Sequence, residues 1–223
     1  MIPLNDASRR PLHFPLMTLL IIGVNFFVFF LELQGGDRFV NRWALVPARI
    51  SEGTQTLTFL TSMFMHAGWL HILGNLLFLW VFGPQIEDVM GRFKYLLFYL
   101  LGGFAASGAQ WFLTPQSTIP NLGASGAIAS VMGAFLITYP RDQIRTILFF
   151  GWFTRIALVP AILWVGIWFL VQIVAGLTVL ENARSQSGGV AYAAHVGGFI
   201  FGAVAARIFE NPRRIAEQKL RYF

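Results

Sequence analysis

The sequence predicts an all-α membrane protein whose single domain, residues 1–223, is a bundle of six transmembrane helices. Of the 223 residues, 56% are hydrophobic and 12% are charged, which is about half the charged fraction of a soluble domain. Uncharged, apolar stretches of about 20 residues, the length that crosses a bilayer, recur along the chain. The chain has no cysteine, so a disulfide scaffold and thiolate metal sites are excluded.

Charged residues, prolines and polar segments set the boundaries of the predicted spans. Glu32 ends the first apolar run, and Gly83-Pro84 ends the second. The uncharged run that follows Lys94 is too long for one helix, and a segment rich in Thr and Pro, residues 114–121, divides it. Pro140 closes the fourth span. The predicted spans are residues 15–33, 69–83, 93–113, 124–139, 156–180 and 191–207.

The other segments are predicted to lie outside the hydrocarbon core. A short N-terminal segment, 1–14, precedes the first span, and a basic tail, 208–223, follows the last. A long loop between the first two spans is expected to lie on the membrane interface. Residues 141–155 are expected to form a basic loop, and Glu181–Gly189 a polar loop. Three aromatic residues of the fifth span are expected to face lipid: Trp164, Trp168 and Phe169.

The charge distribution orients the predicted bundle. Six spans place both termini on one side of the membrane, and most of the 16 Lys and Arg residues fall on that side. By the positive-inside rule that side is cytoplasmic. The same rule accounts for the net charge of +6 without a nucleic-acid partner. The expected surroundings are therefore a lipid bilayer, with both termini on its cytoplasmic side.

Four polar residues lie at one depth of the predicted bundle. His71 and Asn75 begin the second span, four residues apart and therefore on one helical face. Ser125 begins the fourth span, and His195 lies near the start of the sixth. All three helices enter from the outer face, so each residue lies within about 10 Å of that face. Packing of the serine, interfacial anchoring of the histidines and an interhelical hydrogen bond of Asn75 are the alternative interpretations. His66 is also expected to be interfacial.

Small residues recur every four positions beside two of these polar residues. Ala194, Gly198 and Gly202 follow one face of the sixth span, and Ser125, Ala129 and Gly133 follow one face of the fourth. Such seams let two helices approach closely. If the two seams face each other, they bring the Ser125 hydroxyl toward the His195 imidazole.

A serine next to a histidine indicates nucleophilic catalysis. A hydroxyl is a weak nucleophile until a neighbouring base takes its proton, and histidine suits that role near neutral pH. None of the ten acidic residues is expected within a helix core, so the sequence favours a Ser–His dyad over a triad. Asn75, His71 and the Ser125 amide, unpaired at a helix N-terminus, are donors suited to an oxyanion.

These residues resemble the rhomboid family of intramembrane serine proteases, of the bacterial type with a six-helix core. Three segments carry the resemblance: His66-Ala67-Gly68-Trp69-Leu70-His71-Ile72-Leu73-Gly74-Asn75, Gly123-Ala124-Ser125-Gly126-Ala127 and Ala194-His195-Val196-Gly197-Gly198, followed by Gly202. The chain departs from many relatives at three places: Ala129 replaces an aromatic residue, Gly74 replaces a bulky one, and Leu57-Thr58 stands near the place of a Trp-Arg pair.

The resemblance implies a role for each residue of the site. Ser125 is the nucleophile and His195 the general base, while His71, Asn75 and the Ser125 amide bind the oxyanion. Four glycines support the close helix contact: Gly123, Gly126, Gly198 and Gly202. The implied substrate is a transmembrane segment of another membrane protein, cut near the outer face of a bacterial inner membrane. No metal and no cofactor are implied.

Two other functions compete with a protease. A proteolytically inactive rhomboid-like protein would bind membrane proteins without cutting them, although such relatives typically lack the serine or the histidine. A metal or haem protein would use His66, His71 and His195, but the chain contains no HExxH motif. The sequence leaves open the substrate, the oligomeric state and whether the fifth span or the loop Glu181–Gly189 opens to admit substrate.

Overall fold

A computed structural model describes residues 1–181 and 191–222, except for the side chains of residues 179–181 and 219. The predicted polar loop Glu181–Gly189 therefore lies almost wholly outside the described residues. The helices are α1 (Leu16–Trp43), α2 (Pro47–Ser51), α3 (Thr58–Thr61), α4 (Trp69–Met90), α5 (Arg92–Leu113), α6 (Ser125–Thr138), α7 (Ala161–Glu181), α8 (Tyr192–Phe209) and α9 (Pro212–Tyr222), and the strands are β1 (Ile2–Asp6), β2 (Gln143–Phe150) and β3 (Phe153–Pro160).

The described helices are those of an integral membrane protein. Five of them, α1, α4, α5, α7 and α8, are long and apolar enough to cross a bilayer. The sixth apolar helix, α6, has 14 residues and would extend over about 21 Å, less than the hydrocarbon thickness. Every residue from Gly126 to Phe135 is buried, so α6 forms the centre of the bundle, in contact with α4, α5, α7 and α8.

The prediction of an all-α fold is wrong at one end of the bundle. The three strands form an antiparallel sheet in the order β1-β2-β3, and the expected basic loop 141–155 is most of a β-hairpin. Its tip contains Gly151, whose φ of +58° suits the first central position of a type II′ turn. As a consequence α7 begins at Ala161, five residues after the predicted start of the fifth span.

Two other predicted boundaries are also wrong. Helix α1 does not end near Glu32 but continues to Trp43, with a kink at Gly36, so part of the expected interfacial loop is helical. Helix α4 continues past Pro84 to Met90, and the carboxylates of its last turns have partners at the start of α1 and in the N-terminal segment. Glu87 accepts hydrogen bonds from the backbone N–H groups of Met17 and Thr18 at 2.9 and 2.8 Å, where it caps the positive end of α1.

The end of the bundle that carries the sheet is here called the basic end. Buried polar contacts there join the N-terminal segment to α4 and to the start of the hairpin. Asp88 accepts hydrogen bonds from the backbone of Leu12 and His13, and Arg9 forms an ion pair with Asp142. Burial, followed by the nearby Asp142 carboxylate, raises the pKa of Asp6 to about 7. Helix α9 lies within the predicted basic tail 208–223 and packs against the end of α4.

The opposite end, where α4, α6 and α8 begin, is here called the site end. A tight contact between α6 and α8 sets its geometry. A Cβ atom on Gly198 would lie 2.1 Å from the backbone oxygen of Gly126, and one on Gly202 would lie 1.9 Å from that of Ser130. The two small-residue seams therefore face each other, but Gly126 and Ser130 make the α6 contacts instead of the expected Ser125 and Ala129.

Candidate active site

Ser125 is the first residue of α6 and follows a sharply bent glycine. Gly123 has a φ of +141°, in the region where residues with a Cβ are strained. Its N–H donates to the carbonyl oxygen of Ser62 at 2.9 Å, which holds this connection against the turn before α4. The predicted role of Gly123 in the helix seam is wrong, because Gly123 lies in the loop ahead of α6 and not between the helices.

The serine and the histidine predicted from the sequence are in direct contact. Ser125 Oγ lies 2.7 Å from His195 Nε2, a normal distance for a hydrogen bond that involves a hydroxyl. The two residues are 70 positions apart, and His195 is buried. The contact exists because Gly198, one turn after His195, allows α8 to touch the backbone of α6 at Gly126.

His71 reaches the same place from α4. Its Nδ1 accepts a hydrogen bond from the backbone N–H of Ala67 at 3.3 Å, so in the neutral ring Nε2 carries the proton. A Cβ on Gly123 would lie 3.0 Å from His71 Nε2 and 3.5 Å from Ser125 Oγ. Gly123 thus leaves open a small space between a serine oxygen and an N–H donor.

Asn75 lies one helical turn after His71 on the same face of α4. Its side chain is buried, and no described residue accepts a hydrogen bond from its amide nitrogen. A buried donor without a partner costs free energy. Such an orphan donor is suited to a charge that exists only during a reaction.

The sequence missed two residues that contact His195 from α7. Gln172 Oε1 lies 2.7 Å from His195 Nδ1, and the ring centroid of Trp168 lies 5.8 Å from that of His195. The prediction that the α7 aromatics face lipid is therefore wrong: Trp164 is buried, and Phe169 stacks on Phe199 at 4.1 Å. The sequence does contain a signal for this contact: Gln172 is an amide in an otherwise apolar span, and it follows Trp168 by four residues, on the same helical face.

His66 also differs from its prediction. It is 1% exposed instead of interfacial, and its ring centroid lies 5.2 Å from that of His71. Burial, and then the neighbouring His71, lowers the pKa of His66 to about 3. Its backbone N–H donates to Glu32 at 2.8 Å, so a buried acid does occur within a helix, contrary to prediction. Within residues 1–181 and 191–222, no three His, Asp or Glu side chains are grouped to hold a metal ion.

Three of the predicted polar residues, Ser125, His71 and His195, thus lie together at the N-terminal ends of α6, α4 and α8, and Asn75 lies one turn further along α4. The hydroxyl of Ser125 lies against a ring nitrogen that can accept its proton. The His71 N–H and the amide of the first residue of α6 lie near that hydroxyl, and the free amide of Asn75 is one turn away on the His71 face of α4. A nucleophile, a base and donors for a developing negative charge are the components of acyl transfer.

Comparisons with known proteins identify the family of the chain. The family model described as Rhomboid domain matches residues 53–211. The chain is 34% identical over 128 residues to Rhomboid protease GluP of Bacillus subtilis (strain 168), covering 55% of this chain and 24% of that protein. It is 28% identical over 200 residues to Rhomboid protease GlpG of Yersinia pestis (strain Pestoides F), covering 90% and 63%.

A mitochondrial relative is similar over a comparable range. The chain is 29% identical over 189 residues to Rhomboid protein 1, mitochondrial, of Saccharomyces cerevisiae, covering 82% of this chain and 50% of that protein. The chain thus spans about a quarter to just under two thirds of the length of these three relatives. The resemblance found in the sequence is confirmed, and the chain belongs to the rhomboid family.

Proposed function

We propose that this protein is an intramembrane serine endopeptidase that hydrolyses peptide bonds in or near transmembrane segments of other membrane proteins. The observation that carries the proposal is the 2.7 Å contact between Ser125 Oγ and His195 Nε2 at the ends of two membrane helices. The names of two relatives, Rhomboid protease GluP and Rhomboid protease GlpG, support the reaction class.

The geometry suggests the course of the reaction. His195 Nε2 takes the Ser125 proton while Oγ attacks the carbonyl carbon of the substrate. The carbonyl oxygen becomes an oxyanion, which accepts hydrogen bonds from His71, Asn75 and the Ser125 amide. His195 then gives the proton to the leaving amine, and an acyl-enzyme forms. The same imidazole then takes a proton from a water molecule, whose oxygen attacks the ester carbonyl. The bond between the acyl carbon and Ser125 Oγ breaks, and His195 returns the proton to Oγ.

The membrane arrangement is part of the proposal. Both termini lie in the cytoplasm, because the basic end carries most of the positive charge, and the site end opens toward the outer face of a bacterial plasma membrane. Residues 1–223 act as one protease domain, and the partners are the lipid bilayer and the transmembrane segments of substrates.

The alternative, an inactive rhomboid-like binding protein, is less well supported. Such a protein needs no hydrogen bond between a serine and a histidine at the end of a small-residue seam. The buried, unpartnered amide of Asn75 would also cost stability there and serve no reaction.

A test of the proposal compares two serine variants of the same helix. Purified protein in detergent is incubated with a panel of single-span membrane proteins, and cleavage fragments are measured. Ser125→Ala should abolish cleavage, while Ser130→Ala should retain it, because the Ser130 hydroxyl donates to Ala127 at 2.6 Å within its own helix. Cleavage by Ser125→Ala at the wild-type rate would refute the nucleophile. Equal loss in both variants would point to damaged packing instead.

A further inference from the structure

Gln172 of α7 is the hydrogen-bonding neighbour of His195 that the dyad mechanism does not use. Its Oε1 lies 2.7 Å from Nδ1, while the other ring nitrogen lies 2.7 Å from Ser125 Oγ. Both side chains are buried, with 8% of Gln172 and 7% of His195 exposed. The imidazole is therefore held at both nitrogens, from two different helices.

The chemistry of an amide oxygen fixes how the proton is placed on the ring. A carbonyl oxygen accepts hydrogen bonds and cannot donate them, so Nδ1 carries the proton when it faces Oε1. Nε2 is then left with a lone pair toward Ser125. This is the one neutral tautomer in which His195 can act as the base for the serine. In the other tautomer Nε2 already carries a proton and cannot accept one from Ser125.

Packing on α7 directs Gln172 toward the imidazole. Trp168 precedes Gln172 by four residues, so the two side chains share a helical face, and the indole ring lies against His195 at a tilt of 38°. Leu170 and Val171 are 60% and 54% exposed, on the other side of the same helix. The position of Gln172 is therefore set by the face of α7 that packs into the bundle.

We propose that Gln172 is a positioning residue that completes a neutral Ser125–His195–Gln172 triad. The proposal rests on the proposed function of Ser125 and His195 and assigns a third member to that site. Gln172 holds the base tautomer of His195 and the ring orientation, the part that a carboxylate performs in charged triads. It differs in carrying no charge, so it does not stabilise the imidazolium as a carboxylate does.

The absence of a charge gives the proposal a measurable consequence. The side chains that contact His195 from α6 and α7, namely Ser125, Gln172 and Trp168, are uncharged. Helix α5 carries its cations, Arg92 and Lys94, at the basic end, and His71 on α4 is the titratable group with an electrostatic effect on His195. A carboxylate at position 172 would favour the imidazolium, and an opposite charge at this range moves a titration by about one pH unit or more. Since a general base must be neutral to act, the acid limb of the pH–rate profile should then move to higher pH.

Two variants separate positioning from packing. Gln172→Met keeps the shape of the side chain but removes the acceptor, and should lower kcat about 10-fold, with KM unchanged, as expected for the loss of one buried hydrogen bond. Gln172→Glu restores an acceptor and should recover most of kcat at alkaline pH, with the acid limb displaced upward by about one unit. Leu170→Met, on the exposed face of α7, is the matched control and should behave as wild type.

The measurement is kcat and KM of detergent-solubilised protein from pH 5 to pH 9, with Ser125→Ala in parallel. Wild-type kcat in Gln172→Met at every pH overturns the proposal. So does a loss in Gln172→Met accompanied by an acid limb of Gln172→Glu that coincides with wild type, since packing alone then explains the loss. Activity of Ser125→Ala would refute the proposed function itself, so the two failures are distinguishable.

Discussion

Adding one methyl group to the contact between α6 and α8 tests whether that contact sets the catalytic distance. In Gly198→Ala, the new Cβ would lie 2.1 Å from the carbonyl oxygen of Gly126, whereas real Cβ contacts of this kind stay at 3.0 Å or more. The two backbones must therefore separate by about 0.9 Å. Neither atom is the flexible end of a side chain, so local adjustment cannot absorb the displacement.

The displacement acts one helical turn from His195. If it is transmitted along α8, the bond from Ser125 Oγ to His195 Nε2 lengthens from 2.7 Å to about 3.6 Å, which is no longer a hydrogen bond. Positioning errors of about 1 Å can cost on the order of 100-fold in rate. We therefore expect kcat to fall about 100-fold, with a smaller change in KM, in a gel-based cleavage assay.

A matched glycine separates this effect from a general response to alanine. A Cβ on Gly166 of α7 would have no atom within 4 Å, so Gly166→Ala should retain wild-type kcat. The melting temperatures of both variants show whether each is folded at the temperature of the assay. Wild-type kcat in folded Gly198→Ala would show that the seam does not set the distance between the serine and the histidine.

Three further predictions concern the donors, the absence of a metal and the basic end. Asn75→Ala should lower kcat by about 100- to 1,000-fold with KM nearly unchanged; a lower melting temperature with unchanged kcat would instead make Asn75 a structural residue. EDTA should leave the cleavage rate unchanged, and inhibition that Zn²⁺ reverses would indicate a metalloenzyme. Because burial raises the pKa of Asp6 to about 7, the folded protein keeps a proton that the unfolded chain loses above about pH 4, and stability falls as pH rises from about 4 to 7. Asp6→Asn should remove this pH dependence of stability and raise the melting temperature at pH 8. If the melting temperature of Asp6→Asn varies with pH as that of wild type does, Asp6 is not the group responsible.

The sequence predicted the parts of the site that depend on depth in the membrane. Polar residues are costly in a span, so Ser125, His195 and the pair His71 and Asn75 were conspicuous against an apolar background. The four-residue spacing of Gly198 and Gly202 then indicated which helices touch. These signals are local. The seams face each other at Gly133 as predicted, while Gly126 and Ser130 replace Ser125 and Ala129 in the contact.

The sequence could not predict features whose partners are far away in the chain. Glu87 looked like part of a charged turn because its partners, the N–H groups that begin α1, are about 70 residues earlier. The end of β3, residues 156–160, is apolar and runs directly into α7, so hydropathy merges it with the fifth span. Gln172 carries no charge, and its contact is with a histidine 23 residues later in the chain, so the sequence alone does not single it out.

The central claim is that His195 activates Ser125 as a nucleophile. A serine-directed mechanism-based inhibitor, added to detergent-solubilised protein and mapped by peptide mass spectrometry, tests it most directly. The account predicts one covalent adduct on the Ser125 peptide, no adduct on Ser130, and loss of the adduct in His195→Ala. An inhibitor that stops cleavage without modifying Ser125, or equal labelling of Ser125 in His195→Ala, would contradict it.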